Sequence, residues 1–386
     1  MQPLAGTSLQ SAAPGTALPL APAVVVLDQQ GQPVANVEVV FRVTSGGGQV
    51  TPPIVSTDVN GIAATSGWVL GPAPGANTLT ASLSGVAPVT FAAIGGSGTG
   101  TVTPFQRING LTGRPFGVVA LAREEAYVTR QDVNALTRVN AASLTFSTSA
   151  TVGANPSDAV LTDGLTSAYT SDVLGNSVSV VNLQTNTTEA IISLGTSVFR
   201  VAASPDGQFV YATTNDGHVA AIQTSTRRVL STITLSGPLN GILVSGNGQM
   251  LYVSSMSGTV FRVDSRTGQV FATQTVGGTA QEVVLSPDGR ELYVANEGGW
   301  VDVLDPTTLA PITRIMAPAA FGMRLSPDGA TLYVSGARLG RVYLIDRATR
   351  TLRQTLEVGG FPRRIAFTAT RRALVANEGG WVDYLP

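Results

Sequence analysis

Short apolar runs alternate with polar and turn residues along most of the chain, and residues 282–322 show the pattern most clearly. The run EVVLS is apolar, and Pro-Asp-Gly follows it as a tight turn. ELYVAN and GWVDVLD come next, separated by an Asn-Glu-Gly-Gly loop, and APITRIMA ends the unit. Period-two runs of this length, rich in β-branched residues, predict strands. The unit is therefore predicted to form four antiparallel strands.

This four-strand unit recurs at a fixed period. Ser-Pro-Asp-Gly turns at 204–207, 286–289 and 326–329 keep one phase, and the heptapeptide Asn-Glu-Gly-Gly-Trp-Val-Asp occurs at both 296–302 and 377–383. Seven repeats of 40 to 42 residues predict a seven-bladed β-propeller, in which neighbouring sheets cover each other's apolar faces. The corresponding second-strand positions are Tyr127, Tyr169, Tyr211, Tyr252, Tyr293, Tyr333 and Leu374.

The ends of the repeat region predict how the ring closes. The last unit stops after its third strand, whereas residues 105–115 are similar to the fourth-strand ending at 354–362. We expect this N-terminal strand to complete the last blade, because pairing the first and last segments covers two exposed sheet edges.

The first part of the chain has a different pattern. Val-rich runs bounded by turn residues predict about seven short strands in a β-sandwich, with Phe41, Trp68 and Leu79 in its core. A Gly/Ser/Thr stretch separates this part from the repeats. We predict a sandwich domain at 1–97, a linker at 98–103 and the propeller at 104–386. The clearest predicted strands are 22–28, 37–44, 61–69, 77–83 and 87–94.

Several motifs of the first domain resemble the bacterial group 1 Ig-like domain of invasin and intimin type. They occur in order at 28–37, 41–48, 57–63, 78–81 and 88–92. The resemblance implies a spacer or adhesion module outside the cytoplasm, with no catalytic role.

The repeats resemble the YVTN-repeat propeller family of surface-layer and secreted proteins. The matching residues are Tyr293-Val-Ala-Asn296, Tyr252-Val-Ser-Ser255 and Tyr333-Val-Ser-Gly336, together with the Ser-Pro-Asp-Gly turns. The resemblance covers about residues 104–386 and implies the fold and an extracytoplasmic location. It does not imply a particular activity, since propellers carry many functions.

Composition excludes several classes of protein. The 386 residues include no cysteine and one histidine, so disulfides, cysteine nucleophiles and multi-histidine metal sites are excluded, and we expect no metal or cofactor. A net charge of −1 argues against general nucleic-acid binding. The longest apolar stretch, 18–27, is too short to span a membrane. The first residues, MQPLAG, do not form a recognisable signal peptide in this numbering.

Binding candidates are the residues predicted on the propeller face that carries the loops between second and third strands. Trp300 and Trp381 lead, because a tryptophan beside a Gly-Gly loop can stack on a sugar or anchor a protein. The competing interpretation is that each indole packs between blades. The other candidates are Glu297, Glu378, Arg130, Arg200, His218, Glu282, Arg338, Arg363 and Arg364.

One of these candidates and one basic region bear on alternative functions. His218 follows Asp216-Gly217, and as a general base it would need an orienting carboxylate or a nucleophile nearby. Residues 314–386 contain 11 arginines and five acidic residues, which could bind an anionic polymer or form a solvated edge. A nucleic-acid-binding propeller therefore remains a minor alternative.

The leading functional hypothesis is a non-catalytic, monomeric binding or adhesion protein outside the cytoplasm, whose propeller recognises a protein or glycan at the cell surface. The first alternative is an enzyme of the propeller lyase type, which would need His218 beside Glu282 or Glu297 near the channel. The second alternative is a structural surface-layer or envelope protein.

Overall fold

The computed structural model describes residues 1–3, 10–12, 14–18, 21–28, 30, 32–73, 75–95, 105–121, 124–162, 164 and 166–385. The chain divides into two compact units, Met1–Thr103 and Pro104–Pro386. The linker predicted at 98–103 lies outside the described residues. Strands dominate both units, and no helix in the described part of the chain is long and apolar enough to cross a membrane.

The described residues of the first unit form three antiparallel or mixed sheets around one core. Their strand orders are β1-β3-β7, β2-β10-β9-β4-β6 and β5-β8, and β2 pairs with β10 in parallel. Phe41, Trp68 and Leu79 are buried, as the sequence predicted, and Phe91 packs against Phe41. The strands are β1 (Gln2–Pro3), β2 (Gln10–Ala12), β3 (Ala23–Val25), β4 (Glu38–Ser45), β5 (Gly48–Thr51), β6 (Ile54–Ser56), β7 (Ile62–Ala64), β8 (Gly67–Leu70), β9 (Gly75–Leu83) and β10 (Val86–Gly95).

The second unit consists of four-stranded antiparallel sheets, of which the described residues form seven. The repeated tyrosine or leucine lies in the second strand of each of these sheets, and all seven of these side chains are buried. Short 3-10 turns occur at Gln131–Val133 and Ala337–Leu339.

Sheets 1 to 3 use consecutive strands in order. Sheet 1 contains β12 (Pro115–Ala120), β13 (Glu125–Arg130), β14 (Ala135–Asn140) and β15 (Thr145–Thr151). Sheet 2 contains β16 (Pro156–Thr162), β17 (Ser167–Asp172), β18 (Ser177–Asn182) and β19 (Thr187–Ser193). Sheet 3 contains β20 (Val198–Ala203), β21 (Phe209–Thr214), β22 (His218–Gln223) and β23 (Arg228–Thr234).

Sheets 4 to 6 repeat this arrangement. Sheet 4 contains β24 (Leu239–Val244), β25 (Met250–Ser255), β26 (Thr259–Asp264) and β27 (Val270–Thr275). Sheet 5 contains β28 (Ala280–Leu285), β29 (Leu292–Asn296), β30 (Trp300–Leu304) and β31 (Pro311–Met316). Sheet 6 contains β32 (Ala320–Leu325), β33 (Thr331–Gly336), β34 (Arg341–Asp346) and β35 (Thr351–Glu357).

Sheet 7 joins the two ends of the unit. It contains β36 (Pro362–Phe367), β37 (Ala373–Asn377), β38 (Trp381–Leu385) and, as its fourth strand, β11 (Gln106–Asn109). Ile108 pairs with Val382 and Asn109 with Trp381, so the N-terminal strand completes the last sheet as the sequence predicted.

The first strands of the seven sheets form a ring. Each contacts the first strand of the next sheet, and β36 contacts β12. This is the arrangement of a β-propeller, with the first strands around a central channel. We call the end that carries the second-to-third-strand loops the loop face, and the end that carries the Ser-Pro-Asp-Gly turns the turn face.

Candidate functional site

A buried ionic cluster occupies the central channel near the loop face. Arg200 Nη2 donates to Glu282 Oε1 at 2.7 Å, and Arg364 Nη1 lies 3.4 Å from Glu282 Oε2. Asp158 Oδ2 lies 3.2 Å from Arg200 Nε. These four residues come from the first strands of sheets 2, 3, 5 and 7, and all four are buried.

Local backbone geometry brings these side chains together. Every first strand has a break in its pairing register next to this position, as between Val198 and Arg200, and such bulges re-aim side chains. Sheets 1, 4 and 6 carry glycine at the same position. A Cβ on Gly322 would lie 2.0 Å from the carbonyl oxygen of Arg363, so the close packing of adjacent first strands requires glycine there.

Two effects shift the pKa values of this cluster: burial of the charged groups and the charges of their neighbours. Burial would raise the pKa of Glu282, but Arg200, Arg364 and Arg324 outweigh it and lower that pKa to about 2. Burial, reinforced by Arg200, lowers the pKa of Arg364 to about 9. Met323 N also donates to Glu282 Oε2 at 2.8 Å, so this carboxylate links sheets 3, 5, 6 and 7.

A second cluster lies at the mouth of the channel on the loop face. Glu378 accepts from Arg363 Nε at 2.5 Å and from Arg114 Nη2 at 2.9 Å. The guanidinium carbon of Arg363 lies 4.5 Å from the ring centre of Phe321 and 5.1 Å from that of Phe116. The two rings meet edge to face, with centres 5.7 Å apart. Arg363 thus sits in an aromatic and acidic setting that holds its orientation.

Two further predicted residues pair elsewhere on the loop face. Arg338, which is 77% exposed, donates to Glu297 at 3.0 Å, and Gln281 Nε2 donates to the other oxygen of Glu297. Arg130 is different, because its Nε donates to the carbonyl oxygen of Thr112 at 2.6 Å. It therefore anchors the segment that follows β11.

Trp300 belongs to a clip between two sheets. Its Nε1 donates to Asp302 Oδ2 at 2.8 Å, and Arg314 lies 4.2 Å from the ring centre. Arg314 also donates to Asp302 and to the carbonyl oxygen of Val276, which lies in the loop before sheet 5. Asn296 completes the clip by donating to Gly277 O at 2.7 Å.

Trp381 forms the same clip in sheet 7. Its Nε1 donates to Asp383 Oδ2 at 3.0 Å, and Arg107 lies 4.6 Å from the ring centre. Arg107 donates to Asp383 Oδ1 at 2.7 Å and to Val358 O, and Asn377 donates to Gly359 O. These contacts give the repeated heptapeptide a role in joining sheets, which is the competing interpretation raised from the sequence.

His218 begins the third strand of sheet 3. Its Nδ1 lies 3.0 Å from Asp216 Oδ1, and both side chains are substantially exposed. They border a cleft of about 260 Å³ that is also lined by Thr196, Thr214 and Thr232. Glu282 and Glu297 have other partners, so the described contacts do not bring His218 together with either glutamate.

The arginines of residues 314–386 are largely paired. Arg341 pairs with Glu357, and Arg347 and Arg350 both pair with Glu291 on the turn face. Glu291 lies outside residues 314–386, so it offsets part of the excess positive charge of this region. Among the described residues, no group of three or more His, Asp or Glu side chains is arranged to hold a metal ion.

Apolar side chains are exposed at several loop tips of the loop face. Leu174 is 70% exposed and Phe361 49% exposed, and Val133 and Leu339 are exposed at the two 3-10 turns. Sequence reasoning did not select these residues. The sequence feature that indicates them is an apolar residue within a predicted turn, where polar residues are usual.

Arg107 and Arg314, which complete the clips, were missed. Asp158, Phe116 and Phe321 complete the channel and mouth clusters; the sequence predicted them near the channel on the loop face but did not select them as binding residues. Aligning the seven units on their tyrosines places the predicted candidates Arg200, Glu282 and Arg364 where the first strands of sheets 1, 4 and 6 have glycine.

No protein-family model matches the chain, and no curated protein matches it. Among solved structures, the chain is similar to hydrazine synthase from Kuenenia stuttgartiensis, a β-propeller-containing protein. The TM-score is 0.65 at 18% identity, and the match covers 75% of this chain and 97% of that chain. In total 1765 chains of solved structures match, so the similarity shows a widespread fold and does not specify an activity.

Proposed function

We propose that the protein is a non-catalytic extracytoplasmic binding or adhesion protein. In this proposal the second unit is a seven-bladed YVTN-type propeller whose loop face recognises a partner, and the first unit is an Ig-like spacer. The extracytoplasmic assignment is supported by the resemblance of both units to surface and secreted families.

The observation that carries the proposal is the exposure of apolar side chains on the loop face. Leu174, Phe361, Val133 and Leu339 project from loops that the antiparallel topology places at one end of the propeller. Exposed apolar groups rimmed by charged ones are typical of protein-binding surfaces. The paired charges of Glu378 and Glu297 provide such a rim.

A protein is favoured over a glycan as the partner. Sugar stacking needs an aromatic face free of other contacts, and Arg314 and Arg107 each lie over one face of the two candidate indoles. The Nε1 atoms of Trp300 and Trp381 already donate to Asp302 and Asp383. Protein recognition instead uses apolar side chains such as Leu174 and Phe361.

The test is a binding array of purified envelope proteins and glycans, probed with the full chain. We expect saturable binding to a protein, weakened about tenfold or more in a Leu174→Asp/Phe361→Ser variant, because apolar burial at hot spots dominates affinity. Ile191→Asp is the matched control, since Ile191 is 61% exposed on β19, the outer strand of sheet 2. Binding that is equally lost in the control, or absent from the wild type, would contradict the proposal.

A further inference from the structure

We propose that the channel mouth on the loop face binds an oxyanion, a carboxylate or phosphate group, between Arg363 and the buried pair Arg200 and Arg364. This inference rests on the proposed recognition by the loop face and adds the chemistry of the group recognised there. Arg363 Nε already donates to Glu378, and the groups available to an anion are the Nε and Nη1 of Arg200 and the Nε of Arg364.

The first argument is hydrogen bonding. Arg200 Nε, Arg200 Nη1 and Arg364 Nε are buried and have no acceptor among the described residues. Arg200 Nε lies 3.2 Å from Asp158 Oδ2, but its N–H does not point at that oxygen. A buried charged donor without an acceptor is unfavourable, and an entering oxygen atom would relieve it.

The second argument is charge. Four carboxylates face the channel and its mouth, from Asp132, Asp158, Glu282 and Glu378. Four guanidinium groups pair with them, from Arg114, Arg200, Arg363 and Arg364, and a fifth, from Arg324, lowers the pKa of Glu282 electrostatically. One positive charge is therefore in excess among these residues, and it is carried by Arg324, which is exposed on β32. A single monovalent anion would bring the cluster to neutrality.

The third argument is access. Arg363 follows directly after Pro362 at the start of β36, and its side chain is 19% exposed, whereas that of Arg364 is 5% exposed. An anion entering from the loop face would meet Arg363 first, between Phe116 and Phe321. Both rings already contact Arg363 and Arg364, so the anionic group itself provides the recognition. An acidic side chain or a chain-terminal carboxylate of a partner has this chemistry.

The experiment titrates sodium acetate and sodium phosphate into the full chain by calorimetry, with chloride as the reference anion. In parallel, the ¹⁵N-labelled protein reports the Nε–H signals of Arg200 and Arg364. We expect saturable binding and shifts of both signals. Acetate binding more strongly than phosphate would identify a carboxylate site, and the reverse order a phosphate site.

The decisive variant is Arg363→Gln, which leaves the buried cluster intact and should weaken anion binding about tenfold or more. Arg338→Gln is the matched control, because it removes one loop-face charge outside the channel and should leave the affinity unchanged. Arg364→Gln should abolish binding. If that variant does not fold, the signal shifts of the wild type and Arg363→Gln still decide the question.

Three results would overturn the inference: no saturable binding to the wild type, unchanged affinity in Arg363→Gln, or an equal loss in Arg338→Gln. The outcomes for the two proposals are separable. Anion binding with a negative protein array would contradict loop-face recognition alone, and protein binding without anion binding would contradict the oxyanion site alone.

Discussion

Sheets 5 and 7 contain the same heptapeptide, but they obtain its arginine from opposite ends of the chain. In sheet 5, Arg314 lies on β31, twelve residues after Asp302. In sheet 7, Arg107 lies on β11, 276 residues before Asp383. Both guanidinium groups reach the same three partners: an indole, a buried aspartate and a carbonyl oxygen of the preceding loop. The clip is thus a property of the propeller geometry and does not depend on chain order.

The comparison also shows that the same contacts contribute differently to the stability of the two sheets. In sheet 5 the fourth strand is held beside the third by a short turn, so the clip only adds to an existing connection. In sheet 7 the fourth strand is not joined to the third by a turn, so strand pairing, the burial of Ile108 and the clip hold β11 in place. The same loss of contacts should therefore have unequal consequences in the two sheets.

Removing residues 373–386 should have the largest effect. The deletion takes away β37 and β38, and it leaves β11 and β36 without their partners. We expect the second unit to lose its cooperative thermal transition, followed by circular dichroism and by hydrogen exchange. A truncated chain that melted as sharply as the full chain would show that closure does not hold the ring.

Substituting the two arginines should have a smaller and unequal effect. Arg107→Ala and Arg314→Ala each leave a buried aspartate without its cation, which costs about 2–3 kcal/mol for partly exposed arginines. We expect Arg107→Ala to reduce the free energy of unfolding more, since it also frees the closing strand. Urea denaturation measures both, and Arg353→Ala on the exposed outer strand is the control. Equal losses would mean that the clip contributes no more to holding β11 than it contributes to holding β31.

Substituting the tryptophans by phenylalanine should have the smallest effect. Trp300→Phe and Trp381→Phe each remove one indole hydrogen bond and keep a ring beneath the arginine, so each should cost about 1 kcal/mol. Partner binding should stay within twofold of the wild type in both variants. A large loss of binding with little loss of stability would instead restore the tryptophans as ligand contacts.

The sequence was sufficient where the signal was periodic. The spacing of Tyr127 to Leu374 predicted the repeated sheets, and the similarity of 105–115 to 354–362 predicted the pairing of β11 with β38. The core positions Phe41, Trp68 and Leu79 followed from the strand pattern in the same way. Each of these inferences uses only local pattern or repetition.

The sequence was insufficient where contacts depend on distant residues. The sequence predicted Arg200, Glu282 and Arg364 on the loop face. Their convergence in one cluster depends on bulges and on glycines such as Gly322. The partner of Trp381 is Arg107, and no local pattern connects them. The exposure of Leu174 depends on which end of a sheet its loop occupies.

The pairing of β11 with β38 also sets an order of events during protein synthesis. Residues 106–109 emerge early, and their partner at 381–385 emerges only after all the intervening sheets. Until then the growing chain carries an unpaired strand, and contacts over so long a separation form slowly. Completion of the ring must therefore wait until the last sheet has been synthesised, and a chain interrupted within that sheet carries two open edges.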